Sequence, residues 1–391
     1  MQSTGVAIVG SGHTKFGGLK DSNLEQLIVE AGKEALAEAN ITGAEIDAVF
    51  LGNFNAGMIP DSFASSLILQ ISDDLRFKPA TRCENACASG SAAIAAGINS
   101  ILSGNAKTVL VVGAEKMTSN TTPEVTKALT QAGYQNAPQE NKLSFPQLFA
   151  LAAGEYKRRY QDPLYAMAQI AAKNHTNALS NPLAQLHREM SVDFCHNVSD
   201  KNPEIAPPLR LTDCSLISDG AAAVVLTQAD FAKHFQHQVN IRAFEHVSDF
   251  LPMSKRDFIA FEGAEHSIKK AMNVAGISLD DLDFAEVHDC FTIAELLIYE
   301  AMGLTPKGKG YQALDEGVVY RTGRLPINLS GGLKAKGHPV GATGVSMHAI
   351  SYRQLTEQAG KMQLSGANLG LVFNMGGTAV ANYTSILEAV R

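Results

Sequence analysis

Two thiols and two imidazoles carry most of the chemistry that this chain offers. Cys87 stands in Asn85-Ala86-Cys87-Ala88-Ser89-Gly90, and Ala, Ser and Gly fill the segment that follows. Ala favours helix, and small side chains let a helix be buried close to its neighbours. Cys87 is therefore expected at or near the start of a small-residue helix. The helix dipole and free backbone N–H groups there would favour the thiolate. The plainer reading is a buried, inert cysteine. His288 and Cys290 stand together in Val287-His288-Asp289-Cys290-Phe291, directly after a strand-like run. His288 beside Asp289 reads equally well as a structural hydrogen-bonded pair, with Cys290 a small core residue. His338 lies among five glycines between Gly331 and Gly344, on a loop entering a helix. Glycines there let backbone approach a ligand. The Gly-Lys-Ser/Thr ending of a phosphate loop is absent, so a positioned catalytic histidine is the favoured reading. Gly376-Gly377 is a turn, or a source of N–H groups for an oxyanion. Cysteine with histidine points to acyl transfer through a thioester, and the second cysteine suggests that a carbon acid is deprotonated as well. Cys83 and Cys87 have helical spacing but no matching Cys/His pair nearby, so no metal site is expected.

These residues need elements to position them. Val6–Val9 reads as a strand, and Gly10-Ser11-Gly12 after it as a tight turn rather than a dinucleotide fingerprint, since the third glycine is misplaced. Leu24–Ala39 has helical apolar spacing with Asn23 as its cap. Strands are expected at Ile46–Leu51 and Thr108–Val112. From Glu115 to about His237 the alternation gives way to polar sequence with helical pieces at Gln147–Tyr160 and Pro163–Ala178, closing with Ser218-Asp219-Gly220 and a buried strand to Leu226. An insertion this long is usually functional. The third portion repeats the first: a strand at Ile241–His246, a helix at Glu262–Ala275, a run at Leu279–Val287 echoing Ala44–Leu51, a glycine-led helix within Gly331–Gln354 paralleling the Cys87 helix, and strands at Leu369–Asn374 and Ala379–Ile386. Two halves with one plan imply a duplicated α/β fold. If a pseudo-twofold relates them, matching loops and helix starts converge on one site.

The 391 residues are 45% hydrophobic and 18% charged, enough for two domains or one large two-part fold. Net charge is −7 with no basic patch, so nucleic acid is not an expected partner. Five scattered cysteines, an odd number, suggest free thiols in a reducing compartment. The early strand leaves no room for a targeting segment, the last residues hold no peroxisomal tripeptide, and no apolar run nears the roughly 18 residues that span a membrane. A cytoplasmic location without membrane contact is expected.

Four motifs, Asn85-Ala86-Cys87-Ala88-Ser89-Gly90, Ser218-Asp219-Gly220-Ala221-Ala222, Gly337-His338-Pro339-Val340-Gly341-Ala342-Thr343-Gly344 and Asn374-Met375-Gly376-Gly377, resemble those of the thiolase superfamily in order and spacing over essentially the full length. His288-Asp289-Cys290-Phe291 narrows the resemblance to the sterol-carrier-protein-type thiolases. Common thiolases have Asn-Glu-Ala-Phe there and a catalytic cysteine where this chain has Asn374; Cys290 looks like its replacement. The resemblance implies a layered α-β-α-β-α fold with residues 1–114 as one core half (about 215–237 returning to it), 115–214 as a loop domain that shapes the CoA and acyl pocket, and 238–391 as the second half. It implies acyl-CoA:acetyl-CoA C-acyltransfer, or CoA-dependent cleavage of 3-ketoacyl-CoA. Cys87 would be acylated, the N–H groups of Cys87 and Gly376 would hold the oxyanion, and His338 would activate Cys87. Cys290 would remove the α-proton, with the enolate held by His338 and His288. Coenzyme A and acyl-CoA would be substrates with no bound cofactor, and the chain a homodimer or homotetramer.

Three other readings share the fold. A β-ketoacyl synthase uses one cysteine with two histidines, but Cys290 and the missing His-Gly-Thr-Gly-Thr segment argue against it. A partner-dependent lyase or scaffold subunit often lacks the nucleophile, which this chain keeps. An acyl-CoA-binding protein without turnover would fit the Asn374 departure.

Overall fold

The computed structural model describes residues 4–390. Its strands in chain order are β1 (Val6–His13), β2 (Ala48–Gly52), β3 (Ala80–Cys83), β4 (Thr108–Glu115), the short pair β5 (Glu204–Ala206) and β6 (Leu209–Arg210), β7 (Gly220–Gln228), β8 (Val239–Ser248), β9 (Phe284–Val287), β10 (Leu369–Gly376) and β11 (Ala381–Ala389). The α-helices are α1 (Leu24–Glu38), α2 (Ser89–Leu102), α3 (Thr122–Thr130), α4 (Phe145–Arg159), α5 (Leu164–Ala178), α6 (Val192–His196), α7 (Ala229–Ala232), α8 (Glu262–Ala275), α9 (Thr292–Ala301), α10 (Gln312–Asp315) and α11 (Thr343–Leu355).

The main ladder runs β3-β2-β4-β7-β1-β8-β11-β10-β9. Its first five strands come from the N-terminal part and the rest from the C-terminal part. Ile327 bridges β9 in parallel, where β3 pairs β2 in the other half. The order β3-β2-β4-β7-β1 is thus matched by Ile327-β9-β10-β11-β8, and the duplication expected from the sequence is real. The halves join where Val6, Ala7 and Ile8 pair antiparallel with Ile241, Asn240 and Val239.

Strand periodicity builds the layers. Side chains alternate across a strand, so Ala7, Val9, Leu110, Val112, Ala223 and Val225 face α1, whose Leu27, Ile28 and Ala31 complete that cluster. Ile8, Val109, Val111, Val224 and Leu226 face the other way, into the large core. There α2 lies on β2 and β4, and α11 packs on both β7 and β10. The two helices form the middle layer, and α8 covers the far side on β8 and β11. The result is the α-β-α-β-α stack.

Glycine makes the middle layer thin. A Cβ on Gly90 of α2 would lie 2.8 Å from Val345 N and 2.9 Å from Gly341 O. The Gly10-Ser11-Gly12 segment corrects one expectation. It is not a turn but the continuation of β1, and a Cβ on Gly12 would stand 1.9 Å from Ala31 O. These glycines admit α1. Asn23 caps α1 as expected, in a reciprocal box with Gln26 (2.8 and 2.9 Å).

Between β4 and β7, helices α3 to α6 and the β5–β6 pair form a cover over the C-terminal half. A buried ion pair, Lys173 to Glu295 (2.8 Å), pins it, while Arg210 and Asp213 pair within the cover (2.7 Å) and Asp213 accepts from Thr292 Oγ1 (2.7 Å). Among the described residues no helix is long and apolar enough to cross a membrane.

Candidate active site

Cys87 sits on the turn between β3 and α2, two residues before the helix begins. Ala86 holds the left-handed conformation (φ 53), unusual for a residue with a Cβ. Ser89 secures it: its hydroxyl donates to Ala86 O (2.6 Å) and accepts from Asn85 N (2.9 Å). The turn pushes the Cys87 thiol out of the helix line toward α11 and β10.

His338 arrives from the other half. A π-helical turn, Gly332–Lys336, ends at Gly337 (φ 116), a conformation only glycine adopts easily. The N–H of His338 then donates to Ser218 Oγ (3.0 Å). Thr343 Oγ donates to Pro339 O (3.0 Å) and lies 2.7 Å from His338 Nδ1. A hydroxyl has one proton, so Nδ1 carries the hydrogen and Nε2 keeps its lone pair.

His288 and Cys290 follow β9. The sequence left open a His288–Asp289 pair, and the structure separates them. Asp289 turns away, accepting from Leu333 N (2.6 Å), Lys334 N (3.2 Å) and Asn174 Nδ2 (2.7 Å). It staples the His288–Cys290 loop to the loop that carries His338. His288 instead meets Asn374 Nδ2 at 2.8 Å through its Nδ1. The Cys290 carbonyl accepts from Ser215 N (2.9 Å), which ties the loop to the inserted segment.

These pieces converge. One ligand-type atom from each of Cys87, His288 and His338 lies within 4.8 Å of the others. The two imidazoles meet edge to face with centroids 5.1 Å apart. Cys290 joins Cys87, His338 and Gly377 on the wall of one cavity of about 470 Å³. The rest of that wall is largely apolar, with Val125, Leu129 and Phe145 from the inserted segment and Phe291 beside Cys290. A volume in the range of about 300–1,000 Å³ suits a small-molecule ligand.

Burial governs the charges. Loss of water around its sulfur pushes the Cys87 thiol up to about 12, against the pull of the Gly377 N–H and its own N–H. The Glu115 carboxylate adds to the rise. The direction runs against the thiolate expected at a helix start: Cys87 lies two residues before α2, and loss of water is the largest influence on its thiol. Cys290 is raised well above the usual thiol range by burial, then by Cys87 and Asp289. Burial, then Lys336, brings His338 down to about 3; His288 is lowered by burial, His338 and Lys336. The resting site therefore holds neutral thiols and neutral imidazoles.

Gly376 lies at the end of β10, and a Cβ there would stand 2.4 Å from Asn85 O, against the Cys87 turn. Its neighbour Gly377 is the one that sends an N–H to the Cys87 sulfur. Sequence reasoning offered the Gly376–Gly377 pair as N–H donors without separating the two and gave Asp289 the wrong partner, and it did not single out Ser91 or Thr343 as supports. Their motifs were visible, but which side chain a loop presents depends on the fold. Asp219 shows the same: it accepts from Leu19 N, Met117 N and Thr118 N (3.0, 2.7 and 2.8 Å) and pairs with Lys116 (2.6 Å), clipping the inserted segment to the core.

A model of the thiolase N-terminal domain matches residues 6–230, and one described as thiolase C-terminal domain-like matches 246–389. The chain is 39% identical to an acetyl-CoA acetyltransferase of Methanothermobacter thermautotrophicus, covering 95% of this chain and 96% of that protein. It is 33% identical to human sterol carrier protein 2, over 95% of this chain and 70% of that one. Among solved structures, human mitochondrial 3-ketoacyl-CoA thiolase in complex with CoA superposes with a TM-score of 0.76 at 19% identity, each chain covered in full. The Ltp2-ChsH2(DUF35) aldolase reaches 0.83 at 21% identity, over 100% of this chain and 99% of that one. Those two likenesses speak to the fold.

Proposed function

The chain belongs to the thiolase family, and on that premise we propose how its residues carry the family's reaction. It is an acetyl-CoA C-acetyltransferase or 3-ketoacyl-CoA thiolase, joining two acyl thioesters by Claisen condensation or cleaving a 3-ketoacyl-CoA with CoA. The observation that carries our residue assignment is the meeting of Cys87, His288 and His338, with Cys87, His338 and Cys290 on the wall of one cavity.

Cys87 sulfur attacks the thioester carbonyl carbon of an acyl-CoA while its proton passes to the lone pair of His338 Nε2. The oxyanion is held by the N–H groups of Cys87 and of the Gly376–Gly377 turn. Collapse breaks the carbon–sulfur bond to CoA, which leaves with the proton from His338, and acyl-Cys87 remains. Acetyl-CoA then enters. Cys290 gives its proton to His338 and, as thiolate, removes the α-proton. The N–H groups at Nε2 of His338 and His288 hold the enolate oxygen. The enolate carbon attacks acyl-Cys87, forming the new carbon–carbon bond, and the released Cys87 sulfur recovers its proton from His338. Cleavage runs the same steps backwards. Loss of one oxyanion donor typically costs about 100- to 1,000-fold in rate.

The apolar wall from the inserted segment supports reading that segment as the part that receives the acyl-CoA arm. CoA and acyl-CoA serve as substrates. A cytoplasmic homodimer or homotetramer completes the reading; the ladder ends at the open edge of β3, and open edges favour pairing. Light scattering of the purified protein tests that part.

The test of the chemistry is CoA-dependent loss of acetoacetyl-CoA absorbance. We expect cleavage by the wild type and a fall of several orders of magnitude in Cys87→Ala and in Cys290→Ala. Cys290→Ala should still transfer an acyl group between CoA thiols, because acylation needs Cys87 and His338 alone. An active Cys290→Ala enzyme would remove the proton-transfer role from Cys290. A silent wild type with short and longer ketoacyl-CoAs would overturn the reading.

A further inference from the structure

Asn374 occupies the end of β10, buried, with every polar group of its side chain engaged. Its Oδ1 accepts from Ser91 Oγ at 2.7 Å. Its Nδ2 donates to the Cys87 carbonyl at 3.4 Å and to His288 Nδ1 at 2.8 Å. A flipped amide would set Oδ1 against the Cys87 carbonyl oxygen, which can only accept, so the orientation is fixed. The Met375 N–H also points at His288 Nδ1, at 3.5 Å. Two donors converging on one ring nitrogen require that nitrogen to be unprotonated. The hydrogen of neutral His288 therefore sits on Nε2, which is buried and has no protein partner. Gly344 leaves room for this relay: a Cβ there would lie 2.4 Å from Ser91 Oγ and 2.6 Å from Asn374 Oδ1.

We propose that the relay Ser91–Asn374–His288 is a tautomer lock, with Asn374 the positioning residue that makes His288 a fixed Nε2–H donor to the reacting oxygen. The Thr343 contact gives His338 the opposite form, with a free Nε2 lone pair. The two imidazoles then divide the labour: His338 moves protons, and His288 donates a hydrogen bond without moving one. Asn374 has a defined task in place of the cysteine that common thiolases carry at this position.

The inference rests on the catalytic reading above, and its tests separate the two. The Asn374→Asp variant keeps size and shape but offers an acceptor to His288 Nδ1, so it draws a proton there. We expect kcat to fall about 100-fold, the scale of losing one oxyanion donor, with KM for acetoacetyl-CoA nearly unchanged. The pH–rate profile should gain a limb from a histidine whose charged form the carboxylate favours. Asn374→Ala, which leaves the Met375 N–H in place, should fall less than Asn374→Asp. An Asp variant as active as the Ala variant, with an unaltered pH profile, would overturn the lock. Should Asn374→Asp fail to fold, ¹⁵N-histidine NMR of the wild type decides alone, with His288→Gln to assign the signal. Nε2–H supports the lock, and Nδ1–H in an otherwise active thiolase overturns it. A wild type without activity overturns the catalytic reading instead, whatever tautomer is found.

Discussion

At pH 7 the Cys87 sulfur carries its proton, because burial raises the thiol to about 12 while burial and Lys336 take His338 down to about 3. The pair is therefore neutral at rest, and in the proposed mechanism charge separates only as the thioester is attacked. The sign follows directly. A thiol raised above the working pH has a thiolate fraction that grows tenfold per pH unit until its pKa is reached. We predict that alkylation of Cys87 by iodoacetamide, followed by peptide mass spectrometry, accelerates about tenfold per pH unit between pH 7 and 10. A plateau with a midpoint at or below pH 7 would show a standing thiolate–imidazolium pair instead. Cys87 raises the cost of ionising Cys290, so the Cys290 titration belongs to the site as a whole.

The site rests on how closely α2, α11 and β10 approach one another. Gly90 touches the backbone of Gly341 and Val345, and Gly344 touches Ser91. Through these contacts the Cys87 turn and the His338 loop share one wall. A methyl group at Gly90 has no room, because its neighbours are backbone atoms that cannot rotate away. We predict that Gly90→Ala lowers the free energy of unfolding by about 1–3 kcal/mol, the usual scale of overpacking, measured by urea titration. Activity should fall further than stability explains, because the two halves of the site are pushed apart. Glu115 works beside this contact: it accepts from Phe54 N, Asn55 N and Gly341 N (2.9, 2.9 and 3.0 Å), joining the loop after β2 to the loop after His338.

On the scale of the molecule, Cys87, the proposed nucleophile, comes from one half and His288, Cys290 and His338 from the other, with the inserted segment lining part of the cavity. One ladder joins the halves, and a buried ion pair pins the cover. We predict that loss of activity and loss of far-UV circular dichroism in urea share one midpoint; the chain has no tryptophan, so ellipticity is the practical probe of fold. Activity lost at distinctly lower urea would mean that the cover opens separately.

Local pattern made much of this legible. Unbroken β-prone apolar runs marked β1, β4, β7 and β10, and the helical spacing with Asn23 marked α1, because a short apolar run or a 3.6-residue period needs only near neighbours. Glu262–Ala275 matches α8 residue for residue. The order of elements exposed the duplication, and Cys87, His288, Cys290 and His338 stood out as reactive types beside glycine turns. The glycines of β1 misled, since a residue chosen to admit Ala31 of another element looks in sequence like a turn. The short β3 went unnoticed because its four residues carry no clear period. Only the tertiary structure decided that Asp289 turns away from His288, that Gly377 lies beside Cys87 on the cavity wall, that Asn374 meets His288 at Nδ1, and that burial pushes the Cys87 thiol up. Each of these depends on what lies across a gap between segments far apart in the chain, where burial and a few hydrogen bonds outweigh the preference of any residue on its own.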